Sequence, residues 1–312
     1  MAMVTAVRYL GCDVSQEWVD IGDGKTVQRI ENQTAALRRY FRSLAGPVKV
    51  ALEPTHRYHL SVLESAELAG HAVYLVDAYR LSRYRDAVGV RAKTDQADAL
   101  LLSRYLRAES GSLRRWQAPP KAVQDLRQLL QARARVTQSK VALDQSLRGI
   151  GSLTATRQAL LRRLDAALAV IDRKLSRCLE ASDYAAAARR CRAIPGVGAL
   201  NAASLVATYY RGVFRNADAF VAFMGLDVRV RDSGRYRGRR KLSKRGDPEL
   251  RRLLFNAARA AARTARWKGY YERLRTRGLS ATAAHVALAR KLARVAFALL
   301  RDGSEYRAAA PA

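Results

Sequence analysis

The chain is poor in several things, and each shortage excludes something. Its 312 residues include three cysteines, seven prolines and 7% aromatics. Cys12, Cys178 and Cys191 are too few and too scattered for a disulfide framework or a C-x-x-C zinc site, so the expected setting is the reducing cytoplasm. No apolar run approaches the roughly 18 residues of a membrane span, and the N-terminus lacks the charged-then-apolar layout of a signal peptide. No membrane partner is therefore expected. The most telling shortage is of acid. Only 27 Asp and Glu stand against 57 Lys and Arg, a net charge of +30. Ten of those cations are lysine and 47 are arginine. So large a surplus points to a polyanion. Arginine leans towards phosphate, because the planar guanidinium binds it bidentately. A disordered basic tail is excluded, because 49% of the chain is hydrophobic and recurs periodically.

The charge is uneven. Residues 1–110 hold 15 Lys/Arg and 13 Asp/Glu, a surplus of +2, whereas residues 111–312 hold 42 and 14, a surplus of +28. Gly111-Ser112 and Pro119-Pro120 read as a linker between the two regions. The expected organisation is a catalytic α/β domain over 1–110, a helical arm over 111–190 and a basic, mainly helical domain over 191–312.

In the first region, Val4 to Val14, Trp18 to Ile21 and Thr26 to Ile30 read as three strands in a meander. Asn32 is placed to cap the following helix. A fourth strand over Val48 to Leu52, a helix over Tyr58 to Ala69, a fifth strand over His71 to Val76 and a helix over Thr94 to Arg107 complete a β-β-β-α-β-α-β-α order. That is the order of the ribonuclease-H-like fold. Asp13 falls near the end of the first strand and Glu53 at the end of the fourth, while Asp95 and Asp98 lie three apart at the start of the last helix. Three apart on a helix means one face. Four carboxylates drawn together repel unless cations neutralise them, and oxygen-only ligands suit Mg²⁺ or Mn²⁺. Asp20, Asp77 and Glu17 are substitutes of the same chemistry. The blander alternatives are an N-cap with helix-dipole acids for Thr94, Asp95 and Asp98, and turn or surface roles for Asp13 and Glu53.

From Lys121 to Ala181 the pattern is helical. Leu160, Leu164, Leu168, Ile171, Leu175 and Leu179 form a stripe suited to a coiled-coil hairpin that pairs between chains. Next, I-P-G-V-G at Ile194 to Gly198 followed by a small apolar helix has the helix-hairpin-helix pattern. The turn around Gly196 and Gly198 would offer backbone N–H groups to a phosphate. Residues 229–266 then carry 14 Lys/Arg and three Asp/Glu. A basic loop bearing Arg231, Arg235, Arg237, Arg239, Arg240, Lys241, Lys244 and Arg245 leads into a helix from Asp247-Pro248 to about Trp267, with Arg251 and Arg252 near its start. These cations are the expected nucleic-acid interface. A serine among arginines can attack a phosphodiester, because the arginines stabilise the added charge of the transition state. Ser233 and Ser243 qualify equally on chemistry alone.

Taken together, an Asp on the first strand, L-E-P-T, K-T-D-Q-A-D-A, a helical middle, I-P-G-V-G, and an S-G loop with K-R-G resemble the DEDD transposases of the IS110 insertion-sequence family. The pilin-gene inverting recombinase is a relative of that family. The resemblance covers nearly the whole chain. It implies a RuvC-like domain whose acidic tetrad is Asp13, Glu53, Asp95 and Asp98 with Mg²⁺, and a C-terminal domain whose S-G serine, Ser233, becomes covalently joined to DNA. It further implies target and donor DNA as substrates, a structured non-coding guide RNA, and a homo-oligomer whose subunits share sites. Such a protein would act on the bacterial nucleoid. The alternative is a RuvC-class junction nuclease, which needs the tetrad but not Ser233. His56 and Val76-Asp77 depart from the family pattern without touching the four acids.

Overall fold

The structure is a computed structural model that describes residues 7–55, 57–230, 232–234, 236–238 and 240–307, with Arg237 described by its backbone alone. Two compact units divide between Ala118 and Pro119.

The N-terminal unit is built on a five-stranded sheet. β1 (Tyr9–Val14), β2 (Trp18–Gly22) and β3 (Val27–Glu31) form an antiparallel meander. Side chains fix both of its turns. The Ser15 hydroxyl donates to the Trp18 carbonyl at 2.9 Å, and Asp23 Oδ1 accepts the amides of Lys25 and Thr26 at 2.9 Å each. β4 (Lys49–Leu52) lies parallel to β1, and β5 (Ala72–Leu75) parallel to β4, giving the order β3-β2-β1-β4-β5. α1 (Thr34–Ser43) and α2 (His59–Leu68) cover one face with Leu37, Phe41, Val62 and Leu63 against Leu10, Val50 and Leu52. Ala51 and Tyr74, of opposite parity on their strands, face Leu101, Leu102 and Leu106 of α4 (Asp95–Glu109).

α4 approaches the sheet closely because two glycines lie beneath it. Gly11 and Gly22 are direct cross-strand partners. A Cβ on Gly11 would stand 2.2 Å from the Ala99 carbonyl oxygen and 2.4 Å from the Ser103 nitrogen, and one on Gly22 would meet the Ala99 carbonyl carbon at 2.9 Å. The Ser103 hydroxyl donates to the Tyr9 carbonyl at 2.9 Å across the same contact.

The structure departs from the sequence reading here in two places. Residue Gln33, not Asn32, occupies the cap position of α1 and makes no side-chain cap; Asn32 instead donates to the carbonyls of Ser15 and Tyr58 at 2.8 and 3.2 Å. An unforeseen helix, α3 (Ala78–Ala87), follows β5, capped by Asp77 through the Arg80 amide.

In the C-terminal unit, α5 (Lys121–Leu147) and α6 (Thr154–Glu180) form an antiparallel hairpin around a 3₁₀ turn at Gly151–Leu153. Ion pairs Arg133–Asp172, Lys140–Asp165 and Arg157–Asp144 ladder its length. The leucine stripe is only partly covered within the chain. Leu175 is buried with Leu126, but Leu160, Val141, Leu143 and Ile150 are exposed towards the hairpin's far end. Next come α7 (Ala185–Arg192), α8 (Ala199–Tyr209) and α9 (Ala217–Phe223). A small ribbon follows, in which β6 (Val228–Arg229) pairs with β9 (Lys241–Leu242) and β7 (Asp232–Ser233) with β8 (Tyr236–Arg237). α10 (Pro248–Ala261), α11 (Ala265–Thr276) and α12 (Ala281–Asp302) complete the unit around Ile194, Leu205, Phe220, Leu254, Leu292 and Phe297. The single helix expected from Asp247 to Trp267 is thus two. It stops at Ala261, where the Thr264 hydroxyl donates to the Ala261 carbonyl at 2.7 Å and the chain turns before α11.

Candidate active site and nucleic-acid interface

Fold geometry places all four predicted acids in one electrostatic neighbourhood. Asp13 is the last but one residue of β1, and β4, its parallel neighbour, delivers Glu53 one residue past its end. α4 starts with Asp95 and Asp98 over β1, where the two bare glycines let it rest. Thr94 caps α4 by accepting the Ala97 amide at 3.2 Å, and the helix's positive end favours carboxylates there.

Their mutual repulsion is visible on Asp13. Its carboxyl is pushed up from 3.8 to about 6, first by burial and then by the charges of Asp98, Asp95, Asp20 and Glu53. Glu53 is also raised, by burial and then by Asp98 and Asp77. Crowded hard-oxygen donors of this kind suit a divalent cation in chemical type. Among the described residues, however, no three Asp, Glu, His or Cys side chains are gathered tightly enough to enclose a metal ion. Two guanidiniums stand among the acids instead. Arg85 Nη1 of α3 lies 2.7 Å from Asp98 Oδ1. Arg29 of β3 grips the buried Asp20 through two bonds, at 3.0 and 2.7 Å, and reaches within 3.5 Å of Asp95.

The sequence reading missed both arginines. For Arg29 a signal existed, since β2–β3 register sets Arg29 directly opposite Asp20. Arg85 had none, because its helix carries a single buried residue, Leu81, and shows no apolar stripe. Cys12, beside Asp13, is fully buried and its thiol is held well above the ordinary range, chiefly by burial; it packs as a small core residue.

In the C-terminal unit the two candidate serines occupy different settings. Ser233 sits on β7, exposed, opposite Tyr236, with Gly234 at the turn. Asp232 beside it accepts two bonds from Arg240, at 2.7 and 2.9 Å, and one from the Gly238 amide at 3.2 Å. Ser243 lies at the ribbon's base, half-buried. Its hydroxyl donates to Asp227 Oδ1 and accepts the Arg245 amide at 3.3 Å.

The predicted basic residues also differ in setting. Arg231, Arg235 and Arg239 lie outside the described residues. Lys241 and Lys244 are exposed and make no ion pair among the described residues. Arg251 is turned onto the carbonyls of Met224 and Gly246, at 3.3 and 2.7 Å, and Arg252 onto Glu249 through bonds of 2.7 and 2.6 Å. Arg240 is held by Asp232 as above, and Arg245 is exposed. Gly198 stands at the start of α8 with open space where a Cβ would be. Gly196 has φ +94° and presses on α10, where a Cβ would come within 2.5 Å of the Ala261 Cβ; its part is to let two helices meet.

Comparison with known proteins bears on both units. Residues 13–169 match the DEDD transposase profile of the IS110 type, and residues 188–272 match the profile described as transposase IS116/IS110/IS902 family. A probable family 20 transposase of Pseudomonas aeruginosa is 29% identical over 90% of this chain and 92% of its own length. The transposase for insertion sequence element IS1111A of Coxiella burnetii is 30% identical over 70% of this chain and 69% of its own. A pilin gene-inverting protein of Moraxella lacunata is 24% identical over 82% of this chain and 80% of its own.

Proposed function

Because the chain belongs to the IS110/IS116/IS902 family of transposases, enzymes that cut and rejoin DNA, we propose that it is the recombinase of an insertion sequence, working through an acidic tetrad and a serine nucleophile. The observation that supports this reading is the placement of Asp13 near the end of β1, Glu53 one residue past β4 and Asp95 and Asp98 in the first turn of α4, within a unit that matches the DEDD transposase profile.

In this reading the N-terminal unit is a RuvC-like, ribonuclease-H-like domain, and Asp13, Glu53, Asp95 and Asp98 hold Mg²⁺ or Mn²⁺. A cation held there would supply charge neutralisation for the phosphate oxygens of a bound strand. Asp13 near the end of β1, Asp98 in the first turn of α4 and Glu53 just past β4 would supply the ligand oxygens. Ser233 is the nucleophile. Its oxygen forms a new bond to phosphorus as a strand P–O bond breaks, and the hydroxyl's proton ends on the departing strand oxygen, so one phosphodiester is exchanged for another and the break stays rejoinable. Exposure of Ser233 supports this role, whereas Ser243 is engaged with Asp227 as part of the ribbon's footing. The exposed Lys241, Lys244 and Arg245 flank the ribbon as phosphate contacts, joined by the α8 start at Gly198. The surplus of +28 over residues 111–312 fits DNA together with a structured guide RNA. The exposed apolar residues of the α5–α6 hairpin fit pairing with a second copy.

A strand-transfer assay with denaturing gels tests this reading. Wild-type protein should leave a serine–DNA adduct in the presence of Mg²⁺. Ser233→Ala should lose the adduct and keep DNA binding. Adducts from Ser233→Ala would remove the serine assignment, and cutting without any adduct in the wild type would favour a RuvC-class nuclease.

A further inference from the structure

The guanidinium of Arg85 occupies the place in the acidic site where a counter-charge is most needed. Its Nη1 is 2.7 Å from Asp98 Oδ1, and the pair is sheltered, with side-chain exposures of 14% and 17%. Glu53 and Asp13 are the next acids that act on Arg85. The same Nη1 donates to the Ala92 carbonyl at 3.2 Å, which anchors the arginine to the segment leading into α4. One fixed positive charge therefore sits against a tetrad oxygen on one flank of the site, and Arg29 sits by Asp95 on the other.

A divalent cation and a guanidinium cannot both take the same sheltered oxygen at contact distance without strong repulsion. Losing either partner leaves Asp98 a sheltered, unpaired charge, which is costly. The site therefore has two mutually exclusive ways to be neutral. Resting on the metal-site reading above, we propose that Arg85 is the built-in counter-ion of the tetrad: it pairs Asp98 in the metal-free protein and must release it before a divalent cation can be coordinated. Arg85 thereby sets the cation concentration at which the catalytic domain is loaded. The freed guanidinium stays on α3 beside the site and is a positioning residue. The consequence is reciprocal, since whatever draws Arg85 away tightens cation binding by the same factor.

Direct Mn²⁺ binding to the full-length protein, by calorimetry and by electron paramagnetic resonance, tests this without any turnover. Arg85→Ala and Arg85→Met, the second keeping the apolar stem, should bind Mn²⁺ on the order of tenfold more tightly than wild type. Arg85→Lys, which keeps the charge, should stay near wild type. In melting curves, the arginine-free variants should melt below wild type in EDTA and regain the difference, or more, with Mn²⁺. Unchanged or weaker Mn²⁺ binding by both arginine-free variants would overturn the proposal and leave Arg85 a structural ion pair. Asp98→Asn separates the two levels. If wild type and arginine-free proteins alike show no Mn²⁺ site that Asp98→Asn removes, the metal-site reading itself falls. If that site exists and ignores Arg85, only the counter-ion inference falls.

Discussion

Replacing Asp13 by Asn should stabilise the metal-free protein while disabling it. The Asp13 carboxyl is raised from 3.8 to about 6, so its ionised form is disfavoured in the folded chain. A shift of that size has a ceiling of roughly 3 kcal/mol at 1.36 kcal/mol per unit. Asp13 is only half-buried, and solvent screening reduces the ceiling to about 1–2 kcal/mol. The sign follows from proton counting. Between pH 4 and 6 the folded state holds more protons at this site than the unfolded state, so stability falls as pH rises through that window and then levels. Asn carries no charge and removes the slope. For a unit of about 120 residues, 1–2 kcal/mol is about 4–8 °C in Tm. Scanning calorimetry of the whole chain in EDTA should show Asp13→Asn melting higher than wild type at pH 7.5, with the gap closing near pH 4. Added Mg²⁺ should raise the wild-type Tm and leave the variant unmoved. A variant that melts lower at pH 7.5 would refute the repulsion argument, and one that keeps the Mg²⁺ response would remove Asp13 from the metal-site reading.

Three further outcomes are expected. Gly11→Ala should cost several kcal/mol or displace α4, because its methyl would stand 2.2 Å from the Ala99 carbonyl oxygen, and adduct formation should fall with it even though no acid has changed; normal activity with normal Tm would contradict the close-contact account. Ser243→Ala removes a bond to the Asp227 carboxylate, so it should lower Tm modestly, by about 1–3 kcal/mol in stability, while the adduct still forms; loss of the adduct at full stability would transfer the nucleophile's role to Ser243. Leu160→Glu with Val141→Glu, both on exposed hairpin positions, should leave the fold intact and shift sedimentation towards monomer; an unchanged sedimentation coefficient would mean that the hairpin does not pair copies.

How far the site could be read from the sequence differs by element. Alternation around Trp18 to Ile21, with the Asp23-Gly24 turn, was enough to expect the meander; its first strand runs from Tyr9 to Val14, while Val4 to Ala6 of the expected strand lie outside the described residues, and the separate Val48 to Leu52 run placed Glu53 at a strand end. Asp95 and Asp98 were legible because Thr94 and the leucines after them set the helix phase. Arg85 was not, since α3 buries little and its role depends on a contact across 13 residues of chain that no periodicity encodes. The break after Ala261 was equally silent. Its alanines and arginines suit a helix throughout, and the turn, made without Gly or Pro, carries the Thr264 bond to the Ala261 carbonyl and leaves Trp267 buried in the core. The hairpin stripe displayed its period but not how much of it α5 would cover.

The Gly11–Gly22 contact has a mechanical consequence. A helix normally rides on a cushion of side chains that can be compressed or repacked. Over Gly11 and Gly22, α4 rests on bare strand backbone, and the Ser103 hydroxyl bonds across that contact. That contact leaves α4 little room to settle closer to β1, and so helps set the spacing of Asp13 to the helix's first turn. Glu53, one residue past β4 and before Pro54, and the Arg85 side chain on α3 reach the acids from outside that contact. If the four acids form the proposed site, one side of it is set by backbone contact between α4 and β1, and the other by side chains, Glu53 and Arg85.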